Sequence, residues 1–307
     1  MSEGLTRRER FLLRGLLAVS LLGLAWVGVP KAVRLILRPR AARARLVPLA
    51  EPESAVLPAR QPARTGALSV TRETHEGRPL VVVAPASPEP GRAYPLVLVM
   101  HGDGGGADSF HRGFPFEKAS GVDAVLAYPE GGPGGWDLET TRDNPDVRYV
   151  EHLVDALAHR FTLDRARVFA AGYSRGGFFA NVLACQKAGF LRAISSSAGG
   201  APYAQASTFV NGYPKCPGQQ PTAAIALHGD LDLAVTVDSG RFSAEYWAYV
   251  NGCTTTEIEP THYAECTAYR GCPRGKAVAF CEVADVSHWV WDRAAEASWT
   301  FFRTQSE

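Results

Sequence analysis

Three residues of this chain have the types and the order that nucleophilic acyl transfer requires: Ser174, Asp232 and His288. Ser174 is the centre of Gly172-Tyr173-Ser174-Arg175-Gly176, a G-x-S-x-G pentapeptide. A serine hydroxyl is a weak nucleophile, so it needs a base, an acid that orients the base, and donors for the oxyanion its attack creates. Asp232 closes the run His228-Gly229-Asp230-Leu231-Asp232, directly after an apolar stretch. Asp230 competes with it for the acid's role, and His228 and Asp230 also suit an ordinary turn. Of eight histidines, His288 alone follows both Ser174 and Asp232 and also lies beyond the last apolar run. One oxyanion donor is expected from the backbone N–H of Arg175, next to the nucleophile. The second is expected from His101-Gly102-Asp103-Gly104-Gly105-Gly106, at the N–H of Asp103, because a glycine-rich turn brings backbone close to a substrate. That run lacks the spacing of a phosphate loop or a dinucleotide fingerprint, which sets nucleotide binding aside.

The elements around these residues form a pattern. The apolar stretch 167–171 predicts a buried strand and 177–184 a helix, so Ser174 stands on a sharp strand-to-helix turn, held in a strained backbone conformation. Stretches 94–100, 222–227 and 276–283 predict further buried strands, and 291–302 a closing helix. Short apolar strands alternating with helices predict a mostly parallel central sheet with helices on both faces. Each candidate residue follows the C-terminal end of a strand, the rim where open α/β sheets place their sites. The order Ser, Asp, His is that of α/β-hydrolases.

From about Ala67 onward the chain resembles the secreted esterase family of polyhydroxybutyrate depolymerases, feruloyl esterases and acetyl xylan esterases. The resemblance rests on the Pro95 to Gly102 strand and turn, on Ala127-Tyr128-Pro129-Glu130-Gly131 with the later Trp136, and on the stretch from Asp146 to Gly177 with Asp164-Arg165-Ala166-Arg167-Val168 leading into the elbow. It continues in His228-Gly229-Asp230-Leu231-Asp232 and in Tyr269-Arg270-Gly271-Cys272-Pro273 with His288. It implies an α/β-hydrolase fold and a catalytic triad of Ser174, Asp232 and His288. The implied activity is hydrolysis of carboxylic esters through an acyl-enzyme, without metal or organic cofactor. Feruloyl or acetyl esters come first as substrates and hydroxyalkanoate oligomers second. Two departures bear on the pockets: the family's glycines before the histidine and its Trp-Pro after it are replaced by Asp285-Val286-Ser287-His288-Trp289-Val290-Trp291, and Asp137 stands where asparagine is usual. Trp136, Trp289 and Trp291 either wall a substrate pocket or pack in the core or a lid. A peptidase or thioester hydrolase shares the same triad. A tethered binding protein on a hydrolase fold is the alternative from another class.

Composition is that of a soluble globular enzyme, 46% hydrophobic and 21% charged. The net charge of +1 hides an asymmetry. Residues 1–66 hold twelve Lys and Arg against four Asp and Glu, and the remainder is mildly acidic, which argues against nucleic acid as a partner. Within that basic segment, residues 1–37 contain an apolar run from Phe11 to Pro30 interrupted only by Arg14, expected to be a hydrophobic helix that acts as a signal anchor or signal peptide and so makes the membrane a partner. Residues 38–66 are rich in Pro, Ala and Arg and are expected to be an extended linker, leaving 67–307 as the catalytic domain. Basic residues flank the apolar run on both sides and do not orient it. All six cysteines, Cys185, Cys216, Cys253, Cys266, Cys272 and Cys281, lie in the catalytic domain. An even, clustered set suits disulfides in an oxidising compartment, and no C-x-x-C pair points to zinc. The protein is therefore expected to be exported, with its catalytic domain outside the cytoplasm. The resemblance implies a Cys185–Cys216 bridge, and the other four would form two bridges beside the His288 loop in a pairing that spacing leaves open.

Overall fold

Strand residues two apart share a face of a sheet, and the apolar strands of this chain are buried on both faces. The computed structural model describes residues 45–46, 55–205 and 207–306. The apolar run of residues 1–37 lies outside them. Among the described residues no helix is long and apolar enough to cross a membrane. The strands are β1 (Arg45–Leu46), β2 (Leu68–His75), β3 (Arg78–Pro85), β4 (Tyr94–Met100), β5 (Val125–Pro129), β6 (Leu163–Tyr173), β7 (Ala193–Ser197), β8 (Ser207–Thr208), β9 (Pro214–Lys215), β10 (Ala223–Gly229), β11 (Thr254–Pro260), β12 (Cys266–Arg270) and β13 (Val278–Val283). The helices are α1 (Ala107–Gly113), α2 (Glu117–Ser120), α3 (Pro145–Arg160), α4 (Arg175–Gln186), α5 (Val237–Asn251) and α6 (Ala294–Thr304).

One sheet runs in the order β1-β11-β12-β13-β10-β7-β6-β4-β5-β3-β2. Its centre, from β13 through β10, β7, β6 and β4 to β5, is parallel. Antiparallel pairs occur toward the edges, β2 with β3, β3 with β5, and β12 with both β11 and β13. Residue parity sorts the strands into two cores. Leu96, Leu98, Met100, Val168, Ala170, Ala224 and Ala226 pack with α3, α4 and α5 on one face. Val97, Val99, Phe169, Ala171, Ile225 and Leu227 pack with α1 and α6 on the other. Continuous Val/Ile/Leu/Ala runs are thus what a two-faced parallel sheet demands.

The expected strands are present with adjusted limits: β4 keeps 94–100, β6 runs on to Tyr173, directly before the serine, β10 absorbs His228 and Gly229, and β13 begins only at Val278. His228 is therefore a buried strand residue and not a turn former. The closing helix begins at Ala294, and Trp291 lies in the turn before it. From residue 55 the expected linker packs against the sheet and its helices. Leu57 is fully buried and its carbonyl accepts from the His262 N–H at 3.1 Å. Arg64 pairs with Asp123 and Glu89.

Three disulfides join Cys185 to Cys216, Cys253 to Cys272 and Cys266 to Cys281. They engage all six cysteines, so no thiolate is left for zinc. The first ties α4 to the loop before β10; the other two staple the β11–β12–β13 region that leads to His288.

Candidate active site

The turn after β6 is tightly packed. Gly172 and Gly176 flank Ser174, and a Cβ at Gly176 would collide with the carbonyl oxygens of Met100 and His101 on the neighbouring strand end. Ser174 itself has φ 51° and ψ −121°. A side-chain-bearing residue in the left-handed region costs about 1–3 kcal/mol and persists where its surroundings over-determine it. Here the Ser174 N–H donates to the Ser197 carbonyl at 2.9 Å, and its carbonyl accepts from the Phe178 N–H at 3.0 Å as α4 begins.

His288 reaches this turn from the loop after β13. Its Nε2 lies 2.9 Å from Ser174 Oγ, and its Nδ1 lies 2.8 Å from Asp232 Oδ2. With Nδ1–H donating to the carboxylate, Nε2 is the lone-pair nitrogen facing the hydroxyl. The loop is held from the elbow, because the Tyr173 hydroxyl donates to the His288 carbonyl at 2.7 Å. The carboxylate that meets His288 is Asp232 and not Asp230: Asp230 is exposed and accepts from the Asp285 N–H, whereas the Asp232 side chain is wholly enclosed.

Burial works against the Asp232 carboxylate. The hydrogen bond from His288 and those from the Val235 and Ala234 N–H groups outweigh it, and its pKa lies below the ordinary 3.8. His228 stands behind it, with Nε2 2.7 Å from the Val235 carbonyl and 3.3 Å from Asp232 Oδ2. The Nε2–H donates to that carbonyl, Nδ1 is buried without a partner, and burial holds the ring's pKa below its ordinary 6.5. His228 is thus a neutral strut under the acid loop.

The glycine-rich turn lies against Ser174: a Cβ on Gly102 would come within 3.0 Å of Ser174 Cβ. The Arg175 N–H opens α4 and has no carbonyl one turn earlier to bond. The Asp103 N–H also makes no hydrogen bond among the described residues.

The three tryptophans separate. Trp136 is 0% exposed and stacked on Phe179 at 4.7 Å, so it has no face for a substrate; its indole N–H donates to the His101 carbonyl at 3.0 Å. Trp291 is core. Trp289 is 48% exposed, with its ring edge-on to Tyr173 at 5.0 Å. Of the two readings left open for Trp136, pocket wall or packing, the structure has packing: it supports the glycine-rich turn from below. Tyr173 and His228 escaped the sequence reading, although both sit inside the motifs that flagged their neighbours.

No family model matches the chain. A feruloyl esterase B of Piromyces equi is 27% identical over 247 residues, 74% of this chain and 45% of that protein. A feruloyl esterase C of Emericella nidulans is 28% identical over 189 residues, 59% of this chain and 65% of that protein. The chain therefore spans between about half and two thirds of the length of these relatives. Among solved structures, an acetyl xylan esterase from Aspergillus awamori superposes with a TM-score of 0.59 over 77% of this chain and 100% of that one, at 14% identity, which is a likeness of fold. By sequence the chain is related to feruloyl esterases, which are carboxylic ester hydrolases, and by fold it is like an acetyl xylan esterase.

Proposed function

We propose that this chain is a serine esterase that hydrolyses carboxylic esters, with Ser174 as nucleophile, His288 as general base and acid, and Asp232 as the group that orients it. The observation that carries the reading is the pair of contacts from Ser174 Oγ to His288 Nε2, 2.9 Å, and from His288 Nδ1 to Asp232 Oδ2, 2.8 Å, mounted on a strained strand-to-helix turn. Ser174 Oγ attacks the ester carbonyl as His288 Nε2 takes its proton. Asp232, held ionised by its donors, stabilises the imidazolium. The N–H groups of Asp103 and Arg175 receive the tetrahedral oxyanion, each worth about 3 kcal/mol. Collapse of the intermediate expels the alcohol, which leaves with the proton from His288. Water then attacks the acyl-enzyme by the same route and releases the acid. The step needs no metal or organic cofactor.

Substrates of the feruloyl or acetyl ester kind fit best, on the relatives' names and on one exposed apolar edge. Trp289 and Leu231, 48% and 54% exposed, flank the base and the acid, and the Leu231 N–H donates to the Val286 carbonyl, which joins the two loops. The three disulfides favour an exported protein acting in an oxidising compartment.

The test is hydrolysis by the purified full chain of p-nitrophenyl acetate, butyrate and octanoate, methyl ferulate and a hydroxybutyrate oligomer, beside Ser174→Ala. Turnover and fluorophosphonate labelling that vanish in the variant are expected. Labelling or turnover that survives it overturns the reading.

A further inference from the structure

The two N–H groups assigned to the oxyanion belong to different segments, Asp103 to the turn after β4 and Arg175 to the elbow after β6. Their separation is set by whatever ties those segments together, and a third segment, the loop 130–136, does so. Arg175 Nε donates to the Trp136 carbonyl at 2.6 Å. The Trp136 indole N–H donates to the His101 carbonyl, two residues before Asp103, at 3.0 Å. The same loop grips the turn twice more. The Gly131 N–H donates to His101 Nε2 at 3.0 Å, and Glu130 accepts from the Ala107 N–H at 2.6 Å. His101 Nδ1–H closes on the Gly102 carbonyl at 2.8 Å. A run of contacts thus leads from the elbow, through the loop, to both ends of the glycine-rich turn.

Each link is rigid for a stated reason. Trp136 is fully buried and stacked on Phe179 of α4, so its indole cannot swing away. Gly135 stands at φ 93°, and a Cβ there would lie 3.0 Å from both Arg175 Cδ and Asp103 Oδ1. Only a residue without a side chain lets the two converge. The Arg175–Asp103 ion pair is a weaker tie, at 3.6 Å with the Asp103 side chain 64% exposed.

Resting on the serine esterase reading, we propose that the Arg175 side chain and Trp136 form a brace that sets the spacing of the two oxyanion donors. They are positioning residues, acting through the Asp103 and Arg175 N–H groups. Arg175 then acts twice, giving one donor from its backbone and fixing the other through its side chain. Donors must lie about 2.7–3.1 Å from the developing oxyanion, and a displacement of about 1 Å costs on the order of a hundredfold in rate. Loosening the brace therefore harms the transition state and leaves ground-state binding nearly intact.

The test compares Trp136→Phe, Arg175→Met and Arg175→Lys with wild type and Ser174→Ala. Active sites are counted with a fluorophosphonate. Turnover of p-nitrophenyl acetate, inhibition by a trifluoromethyl ketone and amide hydrogen exchange across residues 101–107 are then measured. For Trp136→Phe and Arg175→Met, kcat per active site is expected to fall about tenfold or more, with KM within about twofold. Ketone affinity falls by the same factor, and exchange at 101–107 quickens while the central strands are unchanged. Arg175→Lys, whose ammonium reaches the Trp136 carbonyl, recovers to within about threefold of wild type. Unchanged ketone affinity per active site, or unchanged exchange at 101–107, overturns the brace. A wild-type protein that neither labels nor turns over esters overturns the esterase reading instead, and the exchange measurement still decides the brace. Should Trp136→Phe not fold, Arg175→Met, at a partly exposed position, decides alone.

Discussion

The Tyr173 hydroxyl donates to the His288 carbonyl at 2.7 Å, across 115 residues of chain. The residue next to Ser174 thus holds the main chain of His288. Ring packing adds to the grip, with the Tyr173 ring 5.3 Å from His288 and 5.0 Å from Trp289. Burial, and next the Asp232 carboxylate, push the Tyr173 pKa up, so the phenol remains the donor. Tyr173→Phe keeps the rings in contact and removes only the hydrogen bond, worth about 1 kcal/mol. We expect kcat to fall by about five- to tenfold, the scale of a modestly misplaced base, with a melting temperature lower by only a few degrees. Steady-state kinetics beside a melt decide it; an unchanged kcat would show that packing alone positions the base.

Gly176→Ala places a methyl group against the Met100 and His101 carbonyl oxygens. Both are backbone atoms at the end of a central strand and cannot rotate aside. We expect a loss of about 3 kcal/mol or more in stability, and no turnover even at temperatures where the fold survives, because the elbow and the glycine-rich turn must separate. Urea unfolding with a parallel assay reads both.

Asp232 carries a folded pKa below 3.8. Its ionised form therefore contributes stability that is fully present above about pH 4 and is lost as pH falls through the folded value. Asp232→Asn is expected to flatten the acid limb of urea midpoints plotted against pH. An identical acid limb in the variant would mean that other carboxylates dominate acid unfolding.

His228 predicts a separate window. Its folded pKa is depressed below 6.5 by burial, so the unfolded chain binds a proton that the folded chain refuses. Stability should fall as pH drops from about 6.5 toward the folded value, and His228→Gln, which retains a donor for the Val235 carbonyl, should remove that slope. Midpoints between about pH 7 and pH 5 isolate it from Asp232.

The Cys185–Cys216 bridge closes a loop of sequence separation 31. Replacing both with serine is expected to cost about 3–4 kcal/mol by the chain-entropy estimate. The loss should show as a melting temperature equal to that of wild type under reduction of this bridge alone.

Much of the site was legible in the order of residues. G-x-S-x-G between an apolar strand and a helix identifies Ser174 because the strained turn needs small neighbours, and the structure has Ser174 at φ 51°. The order of strand ends singled out His288, and both contacts needed of it are present. Trp136 stayed open between pocket wall and packing because an aromatic residue near a motif serves equally as surface or as support, and only burial separates the two. The stretch 55–66 reads as a tether from its Pro, Ala and Arg content, yet one residue, Leu57, is sunk in the core, and composition cannot register a single anchor.

What the chain determines by itself is local and periodic. The alternation that divides each strand between two cores, the strand-to-helix turn at Ser174 and the order of the chemical groups are all written in neighbouring residues. The choice of Asp232 over Asp230, the His228 strut, the cysteine pairing and the route from Arg175 through Trp136 to His101 were decided only by tertiary structure. The reason is physical: residues two apart in a loop differ by which one the fold encloses, and a hydrogen bond between residues 35 or 115 apart in sequence exists only once the sheet has brought its strand ends together.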